Sequence, residues 1–246
     1  MTVFGARWAG AALFTARFGT AAPAGWAAAS LTALAIAAAV HLYACCKAKE
    51  RLRRVTKPLL VPLVLCCHVL IAGSSMPLVI FALIFGLIGD ILLIPSGKML
   101  LFGAGGFSFL VGHVLYVLNA FRMGLPQRAF GRFGWASALA VALIVGAVGL
   151  TGCLVIRRRL QKKLRRPLDV YVLGLTAMAG TMVYSFIGAP CLGTALMAAG
   201  GALFAISDLL LGACITGQIK GRRRNMWVML TYVLAQAGIA VGSALV

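Results

Sequence analysis

Read from its N-terminus, the chain sets long apolar runs between short polar or basic breaks. Residues 1–25 are an exception: Arg7 and Arg17 flank an apolar stretch of nine residues, too short to cross a bilayer. Arg17 also breaks the apolar core that a signal peptide would need. Eight apolar runs follow, over 26–46, 58–73, 76–94, 100–120, 134–156, 168–188, 191–214 and 226–245. Most approach the ~20 residues that span hydrocarbon. Pro58, Pro77, Pro167 and Pro190 predict helix starts, because proline is tolerated in a first turn. Gly73-Ser74-Ser75 predicts a tight join between the second and third helices. The pattern therefore predicts an all-α polytopic membrane bundle of about eight transmembrane helices. It forms one domain over 26–246 behind an N-terminal tail over 1–25, with no internal repeat.

Composition sharpens this picture. Of 246 residues, 62% are hydrophobic and 11% charged, with a mean hydropathy of +1.02. That is more apolar surface than one aqueous core can hide, which excludes both a soluble domain and a disordered chain. The net charge of +19 would suit nucleic acid in another setting. Here the bases sit in breaks between apolar runs, at Lys47 to Lys57, Arg157 to Arg166 and Lys220 to Arg224, so no nucleic-acid partner is expected. With the 1–2, 3–4, 5–6 and 7–8 loops on one side, that side holds 18 of the 23 basic residues. Arg7, Arg17, Arg122, Arg128 and Arg132 lie on the other. The positive-inside rule then predicts cytoplasmic basic loops and both termini outside. The seven cysteines include the adjacent pairs Cys45-Cys46 and Cys66-Cys67 but no C-x-x-C, and read as small apolar helix residues.

Polar residues inside the spans carry the candidate chemistry. A carboxylate in hydrocarbon is costly and marks function by default. Of the four acids, Glu50 reads as a surface charge and Asp169 as a structural one beside Arg165 and Arg166 at a helix start. Asp90 and Asp208 lie within apolar runs, with no cation within four residues on their own helices. Both spans run from outside to inside, and both acids fall in the cytoplasmic third, so they are predicted to meet. Gly201, Ala205, Asp208 and Gly212 share one stripe, whose small residues turn Asp208 toward protein rather than lipid; Gly86 lies one turn before Asp90 on the same face. Other polar faces are Gly106, Phe109, His113 and Tyr116; Tyr171, Met178 and Ser185; Tyr232, Gln236 and Ser243; and Lys57 with His68. They describe a polar pocket opening to the cytoplasmic side. Singly, His41 and His68 read as interhelical hydrogen-bonding residues.

These motifs are familiar. Gly89-Asp90 among leucines, Gly105-Gly106-Phe107 leading to His113-Val114-Leu115-Tyr116, and Gly201-Ala202-Leu203-Phe204 leading to Ser207-Asp208 stand in order. Thr231-Tyr232 leads to Ala235-Gln236, and Thr56-Lys57-Pro58-Leu59 and Tyr171 with Met178 complete the set. The set resembles the YhhN family of lysoplasmalogenases from about residue 54 to the end. The resemblance implies an eight-helix membrane hydrolase that cleaves the sn-1 vinyl ether bond of lysoplasmalogen to a fatty aldehyde and a glycerophospho-base. It implies neither metal nor organic cofactor, with lysophospholipid and membrane lipids as partners. The cysteine pairs and the long basic 5–6 loop depart from the pattern.

Vinyl ether hydrolysis needs protonation on carbon, giving an oxocarbenium ion to which water adds. Two carboxyl groups in an apolar setting can divide the work, one protonated and one ionised. Asp90 and Asp208 are the expected catalytic pair, with no assignment of which is the acid. Lys57 is expected at the membrane edge near a headgroup phosphate, with pairing to a carboxylate as the alternative, while His113, Tyr116, Tyr171, Ser207, Tyr232 and Gln236 bind or orient the reacting groups. Ser207 lacks the G-x-S-x-G setting of a nucleophile. Other readings remain open: a purely structural membrane protein, a proton- or cation-coupled transporter using the Asp pair, and a metal-dependent intramembrane lipid hydrolase. The last lacks H-x-x-x-H spacing among His41, His68 and His113.

Overall fold

The computed structural model describes residues 24–72, 76–94, 99–221 and 223–246. Among them are eight helices and no strand: α1 (Ala24–Cys46), α2 (Glu50–Ala72), α3 (Pro77–Leu92), α4 (Met99–Arg122), α5 (Leu125–Arg157), α6 (Lys162–Gly188), α7 (Leu192–Ile215) and α8 (Arg224–Ala244). The helix bundle is as expected, and seven of its helices are long and apolar enough to cross a membrane. The protein is thus a multi-pass integral membrane protein. The exception is α3, with 16 residues, which at 1.5 Å per residue reaches only about 24 Å. The expected eighth full-length span is therefore a short helix packed between α2 and α4. The tail before Pro23 and the Gly73-Ser74-Ser75 join lie outside the described residues.

Proline proved an unreliable marker of helix starts. Pro77 does open α3, but Pro58 and Pro62 lie inside α2, and Pro167 inside α6. Helix α2 begins at Glu50, whose carboxylate pairs with Arg53 at 3.2 Å one turn on. A proline forfeits one backbone hydrogen bond, a loss that membrane helices absorb. As a result Lys57 stands two turns into α2 rather than at its start. The start expected at 134 is likewise an internal joint. Helix α5 begins at Leu125, and Gly134 breaks it with φ 69°, ψ −173°, a conformation open chiefly to glycine.

The core is built around α8, more than half of whose apolar stretch is buried. It packs against α7, α2 and α1. Glycines on both sides bring α7 and α8 together: a Cβ on Gly200 would stand 2.8 Å from the Ala235 carbonyl oxygen, and one on Gly238 3.0 Å from that of Leu196. Helix α5 lies at the periphery with Trp135, Leu143 and Val148 exposed, a surface suited to lipid.

Candidate active site

A cavity of about 1250 Å³ is lined by α2 to α8, with His41 of α1 at its edge. Asp90, near the end of α3, and Asp208, in the second half of α7, both line it. Each is held by a tyrosine from another helix. Tyr232 on α8 donates to Asp90 Oδ2 at 2.7 Å, and Tyr171 on α6 donates to Asp208 Oδ2 at 2.5 Å.

The two acids nevertheless have different surroundings. Asp90 is 2% exposed, and Lys57 Nζ lies 3.2 Å from its Oδ1. Sequence spacing found no cation near Asp90 because the cation comes from another helix. Lys57, expected to meet a headgroup phosphate, is instead the partner of this carboxylate. Behind Tyr232 the bonding continues: Tyr116 on α4 donates to Gln236 Oε1 at 2.7 Å, and Gln236 Nε2 donates to Tyr232 Oη at 3.2 Å. Every donor in this chain points toward Asp90. Gly86 makes room for it, since a Cβ there would stand 2.8 Å from Gln236 Nε2. Asp208 has Tyr171 as its partner, with no ion pair among the described residues, and keeps part of its surface open to the cavity.

The remaining candidates fall into two groups. Lys57, Tyr171, Ser207 and Tyr232 line the cavity. The Ser207 hydroxyl, however, donates to the Val228 carbonyl at 3.1 Å and ties α7 to α8, so it is committed to the fold. Tyr116, Gln236 and His113 stand behind the cavity wall instead. His113 Nδ1–H donates to the Phe109 carbonyl at 2.9 Å, and its ring lies 4.7 Å from that of Phe204 and 5.5 Å from that of Tyr171, centre to centre. His113 therefore backs Tyr171 rather than facing the cavity.

The other histidines are used separately. His68 Nδ1–H donates to the Ala240 carbonyl at 2.8 Å, far from Lys57's role despite sharing its helix face. His41 Nδ1 lies 2.7 Å from Thr56 Oγ1. Among the described residues, no three His, Cys, Asp or Glu side chains gather as a metal-ligand set. Asp169 is structural as expected, but its cation is Arg157 of α5, at 3.1 Å, not Arg165 or Arg166. Sequence reasoning missed Arg53, Arg54, Arg159 and Arg166, which also line the cavity. The signal was present in the helical spacing of Arg53 and Arg54 with Lys57.

The sequence model of the YhhN family matches residues 52–243. The chain belongs to the YhhN family. The match takes in both acids and all the cavity-lining residues except His41 of α1. Membership fits a hydrolase role in the membrane. No curated protein and no solved structure matches this YhhN chain.

Proposed function

We propose that this YhhN protein hydrolyses the sn-1 vinyl ether bond of lysoplasmalogen, releasing a fatty aldehyde and a glycerophospho-base. The observation that carries the reading is the pair of acids on one largely apolar cavity, of which, among the described residues, Asp90 is ion-paired and Asp208 is not. A vinyl ether is inert to a nucleophile until a proton reaches its β-carbon. That proton must come from a carboxylic acid held where water does not compete.

Asp208 is the proposed acid. Its Oδ2 accepts from Tyr171, which leaves Oδ1 to carry and deliver the proton. On transfer, the π electrons form the new C–H bond at the β-carbon, and a lone pair of the ether oxygen moves onto the α-carbon to give an oxocarbenium ion. Asp90 accepts from Lys57 and Tyr232 on separate oxygens, the partner set of an ionised carboxylate, and stabilises that cation. Water adds to the cationic carbon and gives its proton back to Asp208. The hemiacetal then collapses to aldehyde and alcohol, with atoms balanced and Asp208 restored. The basic loops are proposed to face the cytoplasm, so substrate enters from that leaflet.

The test incubates purified protein with lysoplasmalogen and with its sn-1 ester analogue, reading aldehyde and free fatty acid. Aldehyde from the vinyl ether, with the ester left intact, is the expected result. Fatty acid from the ester without aldehyde would replace this reading with that of an acyl hydrolase.

A further inference from the structure

The cavity lining holds cations that the Asp pair does not explain. Its apolar part includes Phe107, Leu110, Ile144, Val145 and Val183, while Arg53, Arg54, Arg159 and Arg166 stand among its lining. The arginines come from three places: two from α2, one from the connection after α5, and one from the first turns of α6. All four acids of the chain are accounted for elsewhere: Glu50 on Arg53, Asp90 on Lys57, Asp169 on Arg157, and Asp208 on Tyr171. Arg54, Arg159 and Arg166 therefore line the cavity without a carboxylate among the described residues. The positive-inside rule accounts for basic loops, but not for which of their cations turn to a cavity. Arg51, Arg158, Lys162 and Lys163 belong to the same loops and do not line it.

The geometry points to a phosphate subsite formed by Arg54, Arg166 and Arg159, with Arg53 beside them, that sets the distance from the lipid headgroup phosphate to the bond being cleaved. Arg53 and Arg54 precede Lys57 by four and three residues on α2, an offset of about one turn, ~5.4 Å, along the helix axis. In a 1-alkenyl glycerophospholipid, phosphorus and the sn-1 oxygen are joined through about five bonds, a reach comparable with one helical turn of ~5.4 Å. A phosphate held by the arginines thus brings the sn-1 ether to the acids and leaves the chain for the apolar part. Guanidinium is suited to this because it grips phosphate oxygens in pairs. The subsite rests on the hydrolase reading for its substrate, but its binding chemistry is separable.

The experiment uses the full-length protein in neutral detergent, which removes any anionic bilayer surface. It compares kcat/KM for alkenyl lysophosphoethanolamine with kcat/KM for the same alkenylglycerol lacking the phosphate. The wild type is expected to favour the phosphorylated substrate, with the preference falling as salt is raised. Arg54→Ala and Arg166→Ala are each expected to cut the ratio of the two kcat/KM values about tenfold, the scale of one charge-assisted hydrogen bond. Arg54→Lys should recover part of it. A ratio unchanged in both alanine variants overturns the subsite. So does an equal loss on both substrates, which would assign the arginines to folding.

Binding of the uncleavable 1-O-alkyl lysophosphoethanolamine, set against 1-O-alkylglycerol, gives a readout independent of turnover. If the wild type cleaves neither alkenyl substrate, the hydrolase reading fails. The subsite then stands only if Arg54→Ala weakens the phosphorylated ligand about tenfold and selectively, and falls otherwise. Should an alanine variant not fold, the salt dependence of the wild-type preference decides: a preference insensitive to salt, or no preference, overturns the subsite.

Discussion

At the scale of single residues, two aspartates of the same type are given different tasks by what reaches them. Asp90 meets a lysine and a tyrosine, and Asp208 one tyrosine. Asparagine at either position keeps the shape and much of the hydrogen bonding. It can neither deliver a proton to carbon nor carry the charge that steadies the oxocarbenium. Asp90→Asn and Asp208→Asn are each expected to lower the rate of aldehyde release by ~10²–10⁴-fold, with the bundle still monodisperse in detergent. Because the pair acts as a unit, the double variant should be little worse than either single one. An Asn variant that keeps more than roughly a tenth of the rate, well short of that ~10²-fold floor, removes its residue from the chemistry. Lys57 gives a sharper discrimination. If it served the headgroup, Lys57→Ala would raise KM and spare kcat. As the partner of Asp90, it should lower kcat with KM nearly kept, and steady-state kinetics on lysoplasmalogen separates the two.

At the scale of elements, the site depends on how closely helices approach. Tyr232 and Gln236 ride on α8, whose position is set by its glycine contacts with α7. A side chain at Gly200 would run into the backbone of α8, with both the Ala235 oxygen and the Ile239 nitrogen 2.8 Å from its Cβ. Gly200→Val is expected to cost on the order of 1–3 kcal/mol or more and to lower the melting temperature in detergent. Gly146 in α5 has open space around its Cβ position. Gly146→Ala should therefore be neutral or stabilising by up to about 1 kcal/mol. Equal losses of melting temperature in both variants would count against tight α7–α8 packing as the cause. The stripe of Gly201, Ala205, Asp208 and Gly212 was legible from spacing alone. Gly201 does lie against Ala179 and Met182 of α6, and Gly212 against Ile156 of α5.

At the scale of the whole molecule, the question is which end faces the cytoplasm. The 5–6 connection lines the cavity through Arg159, Leu160 and Gln161, and the 7–8 connection through Thr216, beside Arg53 and Arg54 of the first turns of α2 and Asn225 of that of α8, so these basic segments gather at one end of the bundle. Cys191 stands at the start of α7, in the connection from α6, and is exposed. The Thr194 hydroxyl, bonded to its thiol, holds the Cys191 pKa below the ordinary thiol value. A larger share is therefore thiolate near neutral pH, the form that reacts. In intact cells a membrane-impermeant maleimide should label Cys191 from outside. In a Cys191→Ser background it should leave an Arg159→Cys variant unlabelled until the membrane is opened. The reverse labelling would invert the topology.

The sequence by itself determined the helical bundle, the approximate spans, the clustering of charge and the two acids that stand out in apolar surroundings. Those properties depend on local composition and on one helical period. It did not determine where α2, α5 and α6 begin. A proline is tolerated inside a membrane helix when the rest of the turn stays bonded, and a glycine can break a helix without ending it. Nor could it pair Lys57 with Asp90, Tyr171 with Asp208, or Tyr116 with Gln236 and Tyr232. Spacing along one helix says which side chains share a face, whereas partners across helices depend on the rotation and depth of each helix against its neighbours. Tertiary packing decides those through the close glycine contacts of α7 and α8 and the short reach of α3. The same packing set Arg53, Arg54, Arg159 and Arg166 along the cavity, while Arg51, Arg158, Lys162 and Lys163 of the same basic segments do not line it.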